Sequence, residues 1–283
     1  MLPYYFPSFF SFIKCSLYII INQILKIAQE KDVENTNEII IKDNWSKEGN
    51  IEFINYCASY RPNTPIILKN INLKIEKGEK IGIIGRTGSG KSSLINALDR
   101  IIEPKSGKIM IDNVDIQSIS LKLLREKISI LPQEPFLIES NLRDNIDPMK
   151  IYSDENIIKL INDLSLFRNL DDKNKLNYEI KENGNNLSTG EKKLICFART
   201  IIRNNKIVIL DEATSSLDFE TKKIIIENIE KYLKACTVIM ITNQEDILKK
   251  CNRVIVIDNG EIVEVGNYEK LIQNKNSLFY SLF

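Results

Sequence analysis

The sequence predicts an α/β fold, in which crossover helices cover a sheet, and three observations favour this class. From residue 51 onward, short β-rich runs alternate with segments of helical periodicity. A glycine cluster at residues 85–90 stands between a strand-like run and a helix-like run. An apolar run at residues 206–210 leads directly into Asp211 and Glu212, as a buried parallel strand does at the ligand edge of an open sheet.

The first fifty residues differ from the rest of the chain. Residues 1–25 are dense in Phe, Tyr, Ile and Leu and approach the length of a bilayer-spanning helix. Pro3, Pro7 and Lys14 interrupt this run and no basic residue precedes it, so the pattern disfavours a signal peptide. Residues 1–50 are therefore predicted to be an apolar helix and a polar linker. They are either the remnant of a transmembrane domain or an amphipathic helix packed on a partner.

The remaining residues, 51–283, are predicted to form one domain. Its elements follow in chain order: strands over residues 51–56, 66–75 and 80–84, a helix that ends at Pro104, and hairpin turns at Asp112-Asn113 and Asn259-Gly260. Residues 141–202 carry no comparable strand and are rich in helical patterns. This stretch indicates a helical insertion in the α/β core.

The composition excludes several classes of function. Lys and Arg number 39 against 38 Asp and Glu, which leaves no charge excess to neutralise a nucleic-acid backbone. The 5 Cys show no C-x-x-C spacing, so neither a disulfide framework nor a zinc site is indicated, and a reducing compartment fits best. The count of 0 His removes Ser-His and Cys-His catalysis. Any chemistry must use carboxylates, Lys, amides and the backbone.

The glycine cluster matches the pattern G-x-x-x-x-G-K-[ST] and has the strand before it and the helix after it that this pattern requires. Such a loop turns backbone N–H groups toward a polyphosphate, and the following helix presents its positive end. Lys91 is predicted to reach the β and γ phosphates, and Ser92 to offer a hydroxyl to Mg²⁺. The predicted nucleotide contacts here are Gly85, Arg86, Thr87, Gly88, Ser89, Gly90, Lys91, Ser92 and Ser93.

The carboxylates after the apolar run at residues 206–210 supply the acidic groups that such a loop needs. Asp211 is predicted to hold the metal. Because side chains alternate along a strand, Glu212 points elsewhere, and we assign it to orienting and polarising the attacking water.

A third motif, Leu187-Ser188-Thr189-Gly190-Glu191, opens a predicted helix. Ser188 and Glu191 have the S-x-x-E spacing of a capping box, which satisfies free N–H groups of the helix. A helix start with Ser and Gly can also cover a γ-phosphate that is bound elsewhere. Both roles can hold at once.

The three motifs together resemble the nucleotide-binding domain of an ATP-binding-cassette (ABC) transporter. Residues 85–92 correspond to Walker A, residues 187–191 to the L-S-G-G-Q signature and residues 206–212 to Walker B, in the family's order within residues 51–283. The resemblance implies a P-loop NTPase (RecA-like) core with an antiparallel β subdomain and a helical signature subdomain. It implies further roles: Tyr60 stacks on adenine, Gln133 of the Q-loop senses the metal, Asp218 of the D-loop communicates across paired domains, and Ser188 and Gly190 contact the partner's nucleotide.

Shorter segments of the sequence, such as Asn141-Leu-Arg-Asp-Asn-Ile-Asp-Pro148, resemble the second cassette of the multidrug-resistance-associated (C) subfamily of exporters. The resemblance implies an ATPase that uses ATP and Mg²⁺ to power export. Its partners would be a second, head-to-tail cassette and transmembrane domains, with this cassette on the cytoplasmic face of a membrane. A soluble ABC protein acting on DNA or ribosomes is disfavoured by the near-neutral charge, the single cassette and the apolar start.

Two departures from the family pattern bear on activity. Asn243 stands where members usually carry a switch-loop His, and Glu191 replaces the last residue of the signature. An amide donates an N–H to phosphate but offers no cationic form, so we expect ATP binding to persist and hydrolysis to be slowed. The alternative is a hydrolysis-impaired, ATP-gated regulatory module. Glu191 is expected to weaken the contact with the partner's nucleotide unless it points back into its capping box.

Overall fold

Within residues 45–283, the strands form three sheets. The computed structural model describes residues 45–283, so the predicted apolar helix and most of the predicted linker lie outside the described residues. In chain order the strands are β1 (Ile51–Ala58), β2 (Leu68–Ile75), β3 (Lys80–Ile84), β4 (Pro104–Ile111), β5 (Val114–Asp115), β6 (Ile128–Leu131), β7 (Ser140–Asn141), β8 (Glu179–Ile180), β9 (Ile207–Asp211), β10 (Thr237–Ile241), β11 (Arg253–Asp258) and β12 (Glu261–Gly266).

Nine α-helices connect and cover these strands in the described part of the chain. They are α1 (Lys91–Leu98), α2 (Leu121–Lys127), α3 (Leu142–Ile146), α4 (Asp154–Asp163), α5 (Asp172–Leu176), α6 (Thr189–Ile202), α7 (Phe219–Tyr232), α8 (Glu245–Leu248) and α9 (Tyr268–Gln273). Over residues 45–283, none of them combines the length and the apolarity that a membrane crossing requires.

The central sheet has six strands in the order β12-β11-β3-β10-β9-β6, and only β12 runs antiparallel to its neighbour. The register places Ile241 of β10 beside Asp211 of β9 and beside Ile83 of β3. The carboxyl ends of β6, β9, β10, β3 and β11 therefore meet along one edge, where open α/β sheets bind ligands.

Side chains of β9 in the central sheet alternate between two apolar cores. Val208 and Leu210 of β9 face the core that holds α6 and α7, and Ile207 and Ile209 face the core of the antiparallel sheet and α1. Burial on both faces explains why β9 is a continuous apolar run in the sequence.

The second sheet is antiparallel, in the order β2-β1-β4-β5, and packs on the α1 side of the central sheet. The helical region between β6 and β9 supplies most of the other core. The parallel core, the antiparallel β subdomain and the helical subdomain are the three parts of the predicted fold class. The structure therefore confirms that class. Residues 141–202 hold no strand of comparable length, as predicted, although the two-residue strand β8 lies within this stretch and pairs with β7 at its start.

The helix after the glycine cluster is shorter than predicted. It ends at Leu98 rather than continuing to Pro104, because Arg100 takes a left-handed φ of 50° that a helix cannot contain. The Arg100 guanidinium donates to the carbonyls of Ile116 and Ile119 at 3.0 and 2.7 Å, which fixes this turn. Pro104 begins β4 instead.

Contacts of the folded unit begin before residue 51. Trp45 is buried, and its indole N–H donates to the carbonyl of Ile111 at 3.1 Å. The Asp112 carboxylate accepts from the backbone N–H groups of Glu48, Gly49 and Asn50 at 3.0, 3.1 and 2.8 Å. Residues 45–50, which the sequence assigns to the linker, pack against β4 and its hairpin turn.

Candidate nucleotide-binding site

The strand ends place most of the predicted site residues along one edge of the central sheet. Gly85 follows β3, Asp211 ends β9, Gln133 lies two residues after β6 and Asn243 two residues after β10. These strands are neighbours in the sheet, so residues far apart in sequence meet there.

The loop from Gly85 to Gly90 needs glycine at its start and its end. A Cβ on Gly85 would lie 2.2 Å from the Ile257 carbonyl oxygen, so no side chain fits at that position. Gly90 has a φ of 113°, which L-residues rarely adopt, and it stands directly before α1. The chain thereby turns from β3 into the N-terminus of α1 over six residues, with the loop backbone exposed at Arg86, Thr87 and Gly88.

Lys91 is held inside this loop. Its ammonium donates to the carbonyls of Gly85 and Arg86 at 2.8 and 3.0 Å. Burial lowers the pKa of Lys91, and the negative charges of Glu212 and Asp211 oppose that shift. A cation therefore lies between the glycine loop and the two carboxylates.

Tyr60 stands over the start of α1. Its hydroxyl and that of the buried Ser93 are 3.0 Å apart, while the side chain is 55% exposed, so one ring face is free to stack. The pocket beside it is lined by Tyr60, Ile66, Ile67, Lys69, Gly88, Gly90, Lys91, Ser92, Ser93, Asn259 and Gly260.

The hairpin turn between β11 and β12 also belongs to this pocket, and the sequence did not assign it there. The Gly260 N–H donates to the Ser89 carbonyl at 2.8 Å, and the Gly260 carbonyl accepts from the Lys69 N–H at 2.8 Å. The Asn-Gly pair identified the turn, but no local signal shows which loop it supports.

Asp211 and Glu212 are adjacent in sequence but lie in different environments. Burial raises the pKa of the Asp211 carboxyl, as does neighbouring Glu212, whereas the Lys193 and Lys91 cations act in the opposite direction. Glu212 lies outside the strand in a left-handed conformation with a φ of 46°, and its N–H donates to the Ile241 carbonyl at 3.0 Å. Its carboxylate accepts from the Gln133 side chain at 3.1 Å.

These groups fit a triphosphate and Mg²⁺. The glycine loop and α1 offer backbone N–H groups and a cation, and the buried hydroxyl of Ser89 has no hydrogen-bond partner in the described residues. Ser92, Gln133 and Asp211 carry the hard oxygen atoms that Mg²⁺ favours. In residues 45–283, no cluster of three or more His, Cys, Asp or Glu side chains could hold a metal.

The signature lies on the N-terminus of α6, and its capping box is confirmed. The Glu191 carboxylate accepts from the Ser188 N–H and hydroxyl, both at 2.8 Å, and the Glu191 N–H donates to the Ser188 hydroxyl at 3.2 Å. Glu191 therefore points back into the box, which is the exception that the sequence analysis allowed.

The signature adjoins the D-loop. Asp218 caps α7 by accepting from the Thr221 N–H and hydroxyl at 2.9 and 2.7 Å. A Cβ on Gly190 would lie 3.0 Å from the same Thr221 hydroxyl. Ser188, Gly190 and Asp218 do not line the pocket over the glycine loop, whereas the predicted contacts Tyr60, Gly88, Gly90, Lys91, Ser92 and Ser93 do.

Asn243 is exposed in the loop after β10. The next residue, Gln244, ties this loop to the one after β9, because its amide donates to the Thr214 carbonyl at 3.0 Å and accepts from the Thr214 hydroxyl at 2.9 Å. This brace fixes the backbone from which Asn243 projects.

Residues 68–215 match the family described as ABC transporter. The chain is 42% identical over 237 residues to ATP-binding cassette sub-family C member 2 of Rattus norvegicus, covering 83% of this chain and 15% of that protein. It is 41% identical over 258 residues to Bile pigment transporter 1 of Saccharomyces cerevisiae, covering 85% of this chain and 16% of that protein.

Among solved structures, a bacterial Atm1-family ABC exporter with ATP bound superposes with a TM-score of 0.77 at 25% identity. The match covers 94% of this chain and 48% of that one. The chain thus spans less than a fifth of the length of the two named relatives and about half of the exporter chain.

Proposed function

The chain belongs to the ABC transporter family, and from that premise we propose that it is an ATP-binding and ATP-hydrolysing cassette that powers export of a substrate across a membrane. The observation that carries the proposal is the arrangement along one sheet edge. Lys91 in its glycine loop, Asp211, and the hydrogen-bonded pair of Gln133 and Glu212 stand on neighbouring strand ends. Phosphoryl transfer to water needs a phosphate cradle, a metal site and a carboxylate to orient the water.

Each residue has a role in this proposal. Lys91 exchanges the carbonyls of Gly85 and Arg86 for phosphate oxygens, with the same ammonium donors. Ser92, Gln133 and Asp211 hold Mg²⁺, which when bound neutralises phosphate charge. Glu212 orients and polarises the attacking water, and the Gln133 amide holds its carboxylate in place.

We further propose that two cassettes pair head to tail. Ser188 and Gly190 of the signature, with Asp218 beside them, form a surface apart from the pocket over the glycine loop. A helix N-terminus attracts phosphate, so this surface would complete the nucleotide site of a facing cassette. By its resemblance to the C subfamily, this chain would be the second cassette of the pair.

Transmembrane domains are the other proposed partner, with the cassette on the cytoplasmic face of the membrane. Four large apolar side chains are exposed in the segments before β7 and after α3: Phe136, Ile138, Met149 and Ile151. Asn145 joins these segments, since its side chain accepts from the Ile138 N–H and donates to the Ile138 carbonyl, both at 3.0 Å. Grouped exposed apolar residues mark interaction surfaces. Residues 1–50 would connect the cassette to the membrane domain.

The proposal includes slow ATP hydrolysis, because Asn243 stands where family members usually carry a His. A purely regulatory module would have only this residue in its favour, while two of the proteins reported above are named as a transporter and an exporter. We therefore propose a slow ATPase rather than an inactive one.

A single-turnover measurement tests the proposal. The full chain, in excess over radiolabelled ATP and with Mg²⁺, is expected to release γ-phosphate. Glu212→Gln should bind ATP as tightly and release phosphate more slowly, by on the order of 10²- to 10⁴-fold, because it lacks the carboxylate. Glu134→Gln, at an exposed carboxylate directly after Gln133 in sequence, serves as the control. Equal rates for Glu212→Gln and wild type would remove Glu212 from the mechanism.

A further inference from the structure

Lys193 of the signature helix α6 is a buried cation with an unusual set of partners. It is 3% exposed, and its ammonium donates to three backbone carbonyls. Two belong to the loop after β6, namely Gln133 and, at 3.4 Å, Pro132. The third belongs to Glu212, at 3.3 Å.

The same ammonium thus joins the backbones of two residues whose side chains also meet. Gln133 donates through its side chain to the Glu212 carboxylate at 3.1 Å, and both residues accept from Lys193 through their carbonyls. On the side of the site, the Gln133 amide joins the two residues through its hydrogen bond to the Glu212 carboxylate. On the buried side, the Lys193 ammonium joins them through their carbonyls.

Lys193 begins a row of donors along one face of α6. Cys196 and Arg199 follow at intervals of three residues, so they share its face of the helix. The Cys196 thiol and the Arg199 guanidinium both reach the Phe136 carbonyl, at 3.7 and 3.1 Å, and Arg199 also donates to the Asn145 carbonyl at 2.7 Å. The helix that carries the signature therefore holds the loop after β6 at Pro132, Gln133 and Phe136.

Stability alone does not explain a lysine at this position. A buried ammonium must be desolvated, which its three carbonyl acceptors and the nearby Asp211 and Glu212 carboxylates offset. Replacing a buried, compensated charge by an apolar side chain of similar volume is often neutral for folding. A lysine here therefore indicates that its ammonium is needed to position the backbone groups that it contacts, rather than to fill space in the core.

We propose that Lys193 is a positioning residue for ATP hydrolysis, which holds Gln133 against Glu212 and links both to the signature helix. This inference rests on the proposed ATPase function. It assigns no contact with nucleotide to Lys193, so binding of ATP should not depend on it.

The test compares Lys193→Met, which keeps the volume and removes the donors, with Lys193→Gln, which keeps two N–H donors. The control is Lys192→Met at the adjacent, half-buried position. We expect Lys193→Met to leave the dissociation constant for MgATP within about twofold and to slow single-turnover phosphate release by on the order of 10- to 100-fold, because small misplacements of catalytic groups have that effect. Lys193→Gln should recover most of the rate.

A second readout separates this inference from the ATPase proposal. Amide hydrogen exchange at Glu212 and Ile138, whose N–H groups donate to the Ile241 carbonyl and the Asn145 side chain at 3.0 Å each, should accelerate in Lys193→Met and stay unchanged in Lys192→Met. If the wild-type chain releases no phosphate, the ATPase proposal fails while the exchange measurement still decides the role of Lys193. Unchanged exchange together with an unchanged rate in Lys193→Met would overturn the inference. So would a parallel loss of ATP affinity, rate and thermal stability, which is the result of a merely structural role.

Discussion

The carboxylate of Glu191 accepts hydrogen bonds from both the backbone N–H and the hydroxyl of Ser188, each at 2.8 Å. The signature hydroxyl thus has a negatively charged acceptor within its own helix turn. A Gln at position 191 would also cap the N–H of Ser188 but would carry no charge.

The Glu191 carboxylate points back into its capping box and so makes no direct contact with a facing nucleotide, but its negative charge stays on the surface proposed to face a phosphate. Glu191→Gln is therefore expected to preserve folding and to strengthen ATP-dependent pairing of cassettes modestly. Analytical ultracentrifugation with MgATP, in a Glu212→Gln background that slows turnover, measures the pairing. Glu191→Ala is the control for the cap and should lower the free energy of unfolding by about 0.3–1.5 kcal/mol. Weaker pairing in Glu191→Gln would refute the charge argument.

Asn243→His should accelerate hydrolysis. The loop after β10 is braced by Gln244 and Thr214, so a new imidazole would project from a fixed backbone. Because an imidazole can carry a proton and an amide cannot, we expect a rate increase of about tenfold or more in single-turnover phosphate release. ATP affinity should change little. Asn243→Gln is the matched amide control, and a His variant no faster than wild type would contradict this account of Asn243.

Gly260→Ala should weaken ATP binding through the glycine loop. A Cβ at Gly260 would lie 2.1 Å from the Ile67 carbonyl oxygen, and the shift it forces would disturb the hydrogen bond from Gly260 to Ser89. Gly78→Ala is a matched control, since Gly78 has a similar φ of 71° but no atom within 4 Å of the added Cβ. Both variants should lose on the order of 1 kcal/mol of stability from the left-handed backbone, and Gly260→Ala should lose more because of the clash with Ile67. Only Gly260→Ala should raise the dissociation constant for ATP, measured by titration calorimetry.

Asp211→Asn should stabilise the nucleotide-free chain while abolishing Mg²⁺-dependent binding. Burial raises the pKa of the Asp211 carboxyl above the ordinary value, so its ionised form is disfavoured in the folded state. The resulting destabilisation is fully present above the raised folded-state pKa, decreases as the pH falls below it, and is gone below the pKa of the unfolded state. Thermal melting of wild type and Asp211→Asn should therefore differ by a few degrees at neutral pH and converge in acid. A variant that melts below wild type at pH 7 would contradict this.

The sequence predicted those parts of the fold and site that depend on local patterns. The strand at residues 80–84, the glycine loop and the capping box at Ser188 each lie within a few residues, and the structure has them as expected. The end of α1 was missed, because the left-handed turn at Arg100 is held by carbonyls of Ile116 and Ile119, which are distant in sequence.

The supporting contacts of the site were beyond sequence analysis for the same reason. Gly260 meets Ser89, and Lys193 meets Gln133 and Glu212, only after β11, α6 and β9 have packed. A Lys inside a helical pattern normally predicts an exposed face, so nothing local indicated that Lys193 is buried. Tertiary packing decided both cases.

Titration calorimetry of the full chain with MgATP tests the central claim most directly, because the account requires a nucleotide held between Lys91 and Asp211. Wild type should bind with measurable heat, and Lys91→Ala should weaken binding by at least about tenfold, the effect of losing charge-assisted hydrogen bonds. Lys105→Ala, an exposed lysine of β4, should bind as wild type does. Absence of binding by wild type, or equal binding by Lys91→Ala, would contradict the account.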